Sequence, residues 1–190
     1  IRGEDHISNT PKQIHIYSAL DWEIPKFAHL PMILGHDKKR LSKRHGAKSV
    51  EFYRNKGYQP DALINYLAFL GWNPGTDEEV MNLSDLILKF DFKRVQKKSA
   101  VFDQKKLNWI SSQHLKNQDP EKVLIAIRLI EPDWGKNRNE NFCLSVIKLM
   151  VVRSNSLIDI ITGSVYFFKS PKVFEAENLK TIWNQSAVVI

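Results

Sequence analysis

The chain has 190 residues, 43% of them apolar and 11% aromatic, with eight Gly and eight Pro; this balance supports one ordinary domain or two small ones and excludes collagen-like, low-complexity and disordered classes. Lys and Arg number 28 against 21 Asp and Glu, a net charge of +7, so the surface attracts polyanions such as nucleic acid or nucleotide phosphates. The single cysteine, Cys143, excludes an internal disulfide framework and a cysteine-rich zinc site within this chain, and fits a reducing compartment, by default the cytoplasm.

Thr10-Pro11-Lys12-Gln13 reads as a capping-box start, with Thr at the N-cap and Pro at the first helical position, and predicts a helix over 11–20. Short apolar stretches between Trp22 and Ile33 alternate with Pro25 and Pro31, which predicts extended segments ending at the turn Gly35-His36-Asp37. Helices follow over 49–57 and 60–70 on a common core, the second with Leu63, Tyr66, Leu67 and Leu70 on one face and Gly71 at its stop. Trp72-Asn73-Pro74-Gly75 is a turn, and Ser84 caps a short helix through Phe90. From Asp103 onward the pattern is helical: 103–115, with Phe102, Leu107, Trp109 and Ile110 in the core; a helix opened by Asp119-Pro120 and carrying Val123, Ile127 and Ile130; 141–152 with Phe142, Val146 and Leu149; then 157–168 and 175–183. No apolar run approaches the roughly 20 residues that span a bilayer, so no membrane segment is expected.

Two basic stretches stand out. Lys38-Lys39-Arg40-Leu41-Ser42-Lys43-Arg44-His45-Gly46 crowds like charges whose repulsion a bound polyphosphate relieves; Ser42 adds a hydroxyl donor and Gly46 lets the loop close. A solvated loop or a nuclear-localisation-like patch has the same composition. The second stretch, Phe92-Lys93-Arg94-Val95-Gln96-Lys97-Lys98-Ser99, suits a phosphate backbone, although by composition alone it reads first as a charged connection between helices. At the start, Arg2, Glu4, Asp5 and His6 lie within five residues; Arg is suited to gripping a carboxylate with paired hydrogen bonds, although such clusters also form ordinary surface ion pairs. The six histidines show no HxxxH or HxH spacing, so no metal site is expected. Walker, GxGxxG and Gly-x-Ser-x-Gly motifs are absent, which argues against P-loop, dinucleotide and α/β-hydrolase readings.

Two strings together resemble one family. Ile1-Arg2-Gly3-Glu4-Asp5-His6-Ile7-Ser8-Asn9-Thr10-Pro11-Lys12-Gln13, followed about thirty residues later by Arg40-Leu41-Ser42-Lys43-Arg44-His45-Gly46, is similar to the bacterial-type glutamyl-tRNA synthetases, class I aminoacyl-tRNA synthetases whose KMSKS loop here takes the Leu-Ser-Lys-Arg form. Gly57-Tyr58-Gln59-Pro60-Asp61-Ala62-Leu63-Ile64-Asn65-Tyr66-Leu67 and Ala100-Val101-Phe102-Asp103-Gln104-Lys105-Lys106-Leu107-Asn108-Trp109 also match that family's pattern. The resemblance is strong over 1–115 and looser beyond.

The resemblance implies an α/β fold passing to mostly α: the C-terminal half of a class I Rossmann-like catalytic domain over 1–48, a stem-contact region over 49–116, and the beginning of a helical anticodon-binding domain over 117–190. It implies that Arg2 holds the glutamate substrate, that Asp5 and Ile33 contact ATP, and that Lys43, with Ser42 and Arg40, stabilises charge on the ATP phosphates. Arg40 stands where the signature usually has lysine, which keeps the charge and changes the donor geometry. Lys93, Arg94, Lys97 and Lys98 become candidate tRNA contacts. The implied reaction is ATP-dependent activation of L-glutamate to glutamyl-adenylate and transfer to tRNA(Glu), with Mg²⁺ accompanying ATP and no zinc in this chain. No HIGH-type motif precedes Ile1, so the chain reads as a fragment, inactive alone, of a monomeric parent. A glutaminyl-tRNA synthetase-like enzyme and an RNA-binding module without ATP chemistry are the alternatives.

Overall fold

The computed structural model describes residues 1–41 and 49–170; Ser42, Lys43 and the helix expected over 175–183 lie outside the described residues. The chain opens with a short parallel pair, β1 (Arg2–Gly3) and β2 (His29–Leu30), in which Arg2 faces His29 and Gly3 faces Leu30. The connection between them carries a 3₁₀ stretch, Glu4–Asn9, and the helix α1 (Thr10–Ala19). Thr10 is not the N-cap expected of it: it is already helical, Asn9 precedes it, and no side chain caps the helix. The threonine hydroxyl is engaged instead by Arg2 and His29. Of the extended residues before Ile33 only His29–Leu30 form a strand, because Pro25 and Pro31 lack the N–H that a longer ladder needs.

Helices α2 (Val50–Asn55), α3 (Pro60–Phe69) and α5 (Gln104–Asn117) share a core of Tyr53, Leu63, Tyr66, Leu70, Leu107 and Ile110. The entry to α2 is fixed by the Ser49 hydroxyl, which accepts from the Phe52 N–H. That to α5 is fixed by the Asp103 carboxylate, which accepts from the N–H groups of Lys105 and Lys106, an N-cap of the kind that stabilises by about 1 kcal/mol. The Tyr66 hydroxyl accepts from the Asp103 N–H at 2.7 Å, and burial pushes its phenol up to about 12. Leu67 departs from the expected face and is 44% exposed, as Trp109 departs from the expected core at 42%. The inward stripe of α3 runs through positions 63, 66 and 70, leaving Leu67 at its margin, while the Trp109 ring lies under the Lys106 ammonium. The helix α4 (Leu83–Lys89) is capped by Asn82, not Ser84, since the extended Asn82 accepts from the Asp85 N–H.

The remaining helices, α6 (Pro120–Ile130), α7 (Glu140–Met150), α8 (Leu157–Gly163) and α9 (Val165–Phe168), enclose a second core that includes Val123, Leu124, Ile127, Trp134, Cys143, Ile147 and Ile160. Ile130 and Leu149, expected inside, are exposed. Helix α7 is capped by Asn139 and starts at Glu140. The single helix expected over 157–168 is broken at Ser164, whose buried hydroxyl accepts from the Trp134 indole N–H at 3.0 Å. Among the described residues no helix is long and apolar enough to cross a membrane.

Helix α5 belongs to both cores: Leu107 and Ile110 pack in the first and Leu115 in the second. Only Gln118 and Asp119 separate it from α6. The two halves also meet at Gly57, whose carbonyl accepts from the Leu157 N–H at 3.0 Å, and at Ser111, whose hydroxyl donates to the Asn155 carbonyl.

On the other side of α3 the buried Asn65 accepts through Oδ1 from the Met81 N–H and from His114 Nε2, each at 2.9 Å. Burial lowers the His114 pKa from its ordinary 6.5, while Asp61 works in the opposite direction. The folded chain therefore binds fewer protons at this site than the unfolded one, so the contribution of His114 is complete above pH 6.5 and is lost as pH falls toward the folded value. Urea midpoints measured between pH 5 and 7.5 should decline on the acid side, and His114→Gln should flatten that decline; an unaltered slope would remove His114 from the account.

Candidate functional site

The parallel register places Arg2 beside His29, and the first turn of α1 places Thr10 beside both. The Arg2 guanidinium donates from Nη2 to Thr10 Oγ1 at 2.9 Å and makes a long contact from Nε to His29 Nε2 at 3.4 Å, with the Phe27 ring 5.2 Å away. Two residues on, Glu4 accepts from the Met32 N–H through Oε1, which fastens the acidic segment to the chain leaving β2. Asp5 then turns back over Gly3, where a Cβ would lie 2.6 Å from its Oδ1.

The described base of the first basic stretch is a tight turn. The Gly35 N–H donates to the Lys39 carbonyl, the Lys38 N–H to the Gly35 carbonyl, and the Leu41 N–H to the Ile33 carbonyl. Lys38 has a φ of 58°, in the left-handed region where non-glycine residues are uncommon. Leu34 also bonds on its other side, donating to the Ala100 carbonyl and accepting from the Phe102 N–H, both at 2.8 Å. The turn is thus sewn to the segment that leads into α5.

The Arg40 guanidinium reaches Asp5 at 2.9 Å, with side chains 61% and 34% exposed. So open a pair contributes at most about 1 kcal/mol and exchanges readily for another partner. It joins residues 35 positions apart and brings the two strings singled out in the sequence within contact. Ile33 lies at the edge of this arrangement. Its carbonyl accepts from the Leu41 N–H, and the residue lines an apolar cavity of about 340 Å³ together with Leu67, Trp72, Phe90 and Val95.

Lys93, Arg94, Lys97 and Lys98 are all exposed, and none has a carboxylate partner among the described residues. Lys93 and Arg94 lie in a 3₁₀ turn capped by Asp91. The Arg94 guanidinium packs over Gly75, where a Cβ would lie 1.7 Å from Nη1. The stretch is held by main chain, with the Gln96 N–H donating to the Gly71 carbonyl at 2.7 Å. Ser42 and Lys43 lie outside the described residues.

Thr10 and His29 were not among the residues that sequence reasoning marked as part of the site. They stand 8 and 27 positions from Arg2, and no local spacing announces them; only the strand register does. Among the described residues no group of three or more His, Cys, Asp or Glu is arranged to hold a metal ion.

Comparison with known proteins adds a family. The family model described as tRNA synthetases class I (E and Q), catalytic domain, matches residues 1–109. A glutamate–tRNA ligase of Moorella thermoacetica is 42% identical over 186 residues, which cover 95% of this chain and 38% of that protein. One of Carboxydothermus hydrogenoformans is 53% identical over 124 residues, 65% of this chain and 26% of the relative. Among solved structures, a glutamate tRNA ligase from Elizabethkingia meningosepticum in complex with its amino acid superposes with a TM-score of 0.83 at 29% identity, covering 98% of this chain and 41% of the other. The chain therefore spans about a quarter to two fifths of the length of these proteins.

Proposed function

Since the chain belongs to the class I tRNA synthetases of the glutamate and glutamine type, we propose that it forms part of a glutamate–tRNA ligase. In this reading residues 1–48 belong to the catalytic domain, 49–116 to a stem-contact region and 117–190 to a helical anticodon-binding part. The ligase activates L-glutamate with ATP to glutamyl-adenylate, releasing pyrophosphate, and transfers the glutamyl group to tRNA(Glu), releasing AMP. Catalysis then rests on positioning and on charge stabilisation at the phosphates.

Arg2 holds the glutamate carboxylate, Asp5 and Ile33 contact ATP, and Lys43, with Ser42 and Arg40, faces the phosphates. Mg²⁺ comes with the triphosphate, whose oxygens furnish most of its ligands. The exposed cations Lys93, Arg94, Lys97 and Lys98 contact the tRNA backbone, a sequence-independent contribution that salt weakens. The observation that carries this reading is the Asp5–Arg40 ion pair, which sets the acidic ATP candidate against the first cation of the signature loop. When nucleotide arrives, both partners have something better to bind than each other, and so open a pair offers little resistance.

The test is ATP-dependent attachment of radiolabelled glutamate to total bacterial tRNA, by a ligase as long as the relatives and carrying this segment. Charging with glutamate is expected, and Arg2→Ala should raise the half-saturating glutamate concentration about tenfold, as loss of a charge-assisted hydrogen bond does. Retained tRNA binding with no charging would move the protein to the RNA-binding modules; charging with glutamine alone would move it to the glutamine branch.

A further inference from the structure

An Arg guanidinium offers a carboxylate two usable edges: a side edge, formed by Nε–H and one Nη–H, and an end edge, formed by the two Nη groups. In this protein the side edge of Arg2 is occupied by its own chain. Nη2 donates to Thr10 Oγ1 and Nε faces His29 Nε2, while Thr10 Oγ1 and His29 Nε2 stand 3.0 Å apart. The three groups close a triangle.

The protons in that triangle are constrained. Arg2 is charged and can only donate. Thr10 Oγ1 accepts from Arg2, has its own proton to donate to the His6 carbonyl at 3.2 Å, and stands 3.0 Å from His29 Nε2. The Arg2 Nε–H, which can only donate, is directed at His29 Nε2 at 3.4 Å, and this contact assigns Nε2 as the acceptor, with the ring proton on Nδ1. The half-buried position of all three residues keeps the arrangement from dissolving in water.

We infer that His29, as the Nδ1–H tautomer and acting with Thr10, is a positioning residue for Arg2: it holds the side edge of the guanidinium and leaves the end edge, Nη1–H and the second Nη2–H, to the carboxylate of the amino-acid substrate. The inference rests on the reading of Arg2 as the carboxylate-binding group. It narrows the mode of recognition to end-on, and it makes glutamate affinity depend on a residue 27 positions away that has no contact with the substrate.

The experiment compares His29→Phe, which keeps an aromatic ring and removes the acceptor, with His29→Gln, which restores an acceptor oxygen, and with Arg2→Ala, all in the ligase of full length. His29→Phe is expected to raise the KM for glutamate roughly threefold to tenfold, the range for one long hydrogen bond that acts on the substrate only through Arg2, with kcat and the KM for ATP within twofold of the parent, and His29→Gln is expected to recover most of the loss. An unchanged glutamate KM in His29→Phe beside a raised one in Arg2→Ala overturns the inference alone. Unchanged values in both remove the carboxylate reading of Arg2 and the inference with it. Equal losses in His29→Phe and His29→Gln, with kcat falling too, also overturn it, because they assign the histidine to general packing. Nitrogen-15 NMR of the 190-residue chain supplies a readout free of activity: His29 Nε2 should resonate as an unprotonated ring nitrogen, and a protonated Nε2 would contradict the triangle.

Discussion

Gly57→Ala should lower the unfolding free energy by roughly 2–4 kcal/mol, with a fall in Tm of about 5–15 °C for a chain of this size. Gly57 has a φ of +76°, and a Cβ built there would lie 2.7 Å from the Ile158 nitrogen and 3.2 Å from the Leu157 nitrogen. The left-handed conformation alone costs an alanine about 1 kcal/mol. The neighbouring atoms are main chain and cannot swing aside as a side-chain tip would, so the helix α8 must move back, which stretches the Leu157 N–H bond to the Gly57 carbonyl; overpacking of this kind costs about 1–3 kcal/mol more. Gly71→Ala supplies the control, since a Cβ there meets nothing within 4 Å and its φ is not positive. Urea unfolding of both variants is the measurement, and equal midpoints would show that contact at Gly57 is not what joins the two halves.

Lys43→Ala should slow adenylate formation by roughly 2–4 kcal/mol of barrier, a loss of about thirtyfold to a thousandfold, as removal of one preorganised charge-stabilising group does. The expectation rests on the place of Lys43 in the Leu-Ser-Lys-Arg string and on where that string begins. Leu41 is pinned to the Ile33 carbonyl and Arg40 to Asp5, so the chain that carries Lys43 sets out beside the candidate ATP contacts. Glutamate-dependent exchange of pyrophosphate into ATP, measured in the ligase of full length, reads this step without tRNA charging. Lys148→Ala, on the exposed face of α7, should leave the rate alone; a Lys43→Ala rate within twofold of the parent would take Lys43 out of the phosphate chemistry.

Helix entries were the most legible part of the sequence where the capping residue had no rival. Ser49, Asp103 and Asp119 each accept from N–H groups of the turn that follows, because an extended Ser or Asp ahead of a helix has few other local acceptor tasks. Thr10 carried the same local signal and failed it, since Arg2 and His29 compete for its hydroxyl. Burial was legible by periodicity along the middle of each apolar stripe, as at Leu63, Tyr66 and Ile127, and not at its margins, as at Leu67, Leu149 and Ile130. A margin residue is decided by whether another element arrives to cover it, and that is a property of the tertiary arrangement. The break at Ser164 belongs with these: its cause is an indole N–H thirty residues upstream that needs an acceptor. In the candidate site the residues named from the two strings are contiguous with those strings, and the Asp5–Arg40 contact, like the Arg2 triangle, emerges only once β1 and β2 are paired.

Because α5 lends Leu107 and Ile110 to one core and Leu115 to the other, loss of that helix takes a wall from both. The amide protons of α5 should therefore exchange with solvent only through global opening, making it the slowest-exchanging segment of the chain. The same sharing fixes where the protein tolerates being cut: a protease or an engineered split within α5 leaves two pieces that each lack a wall.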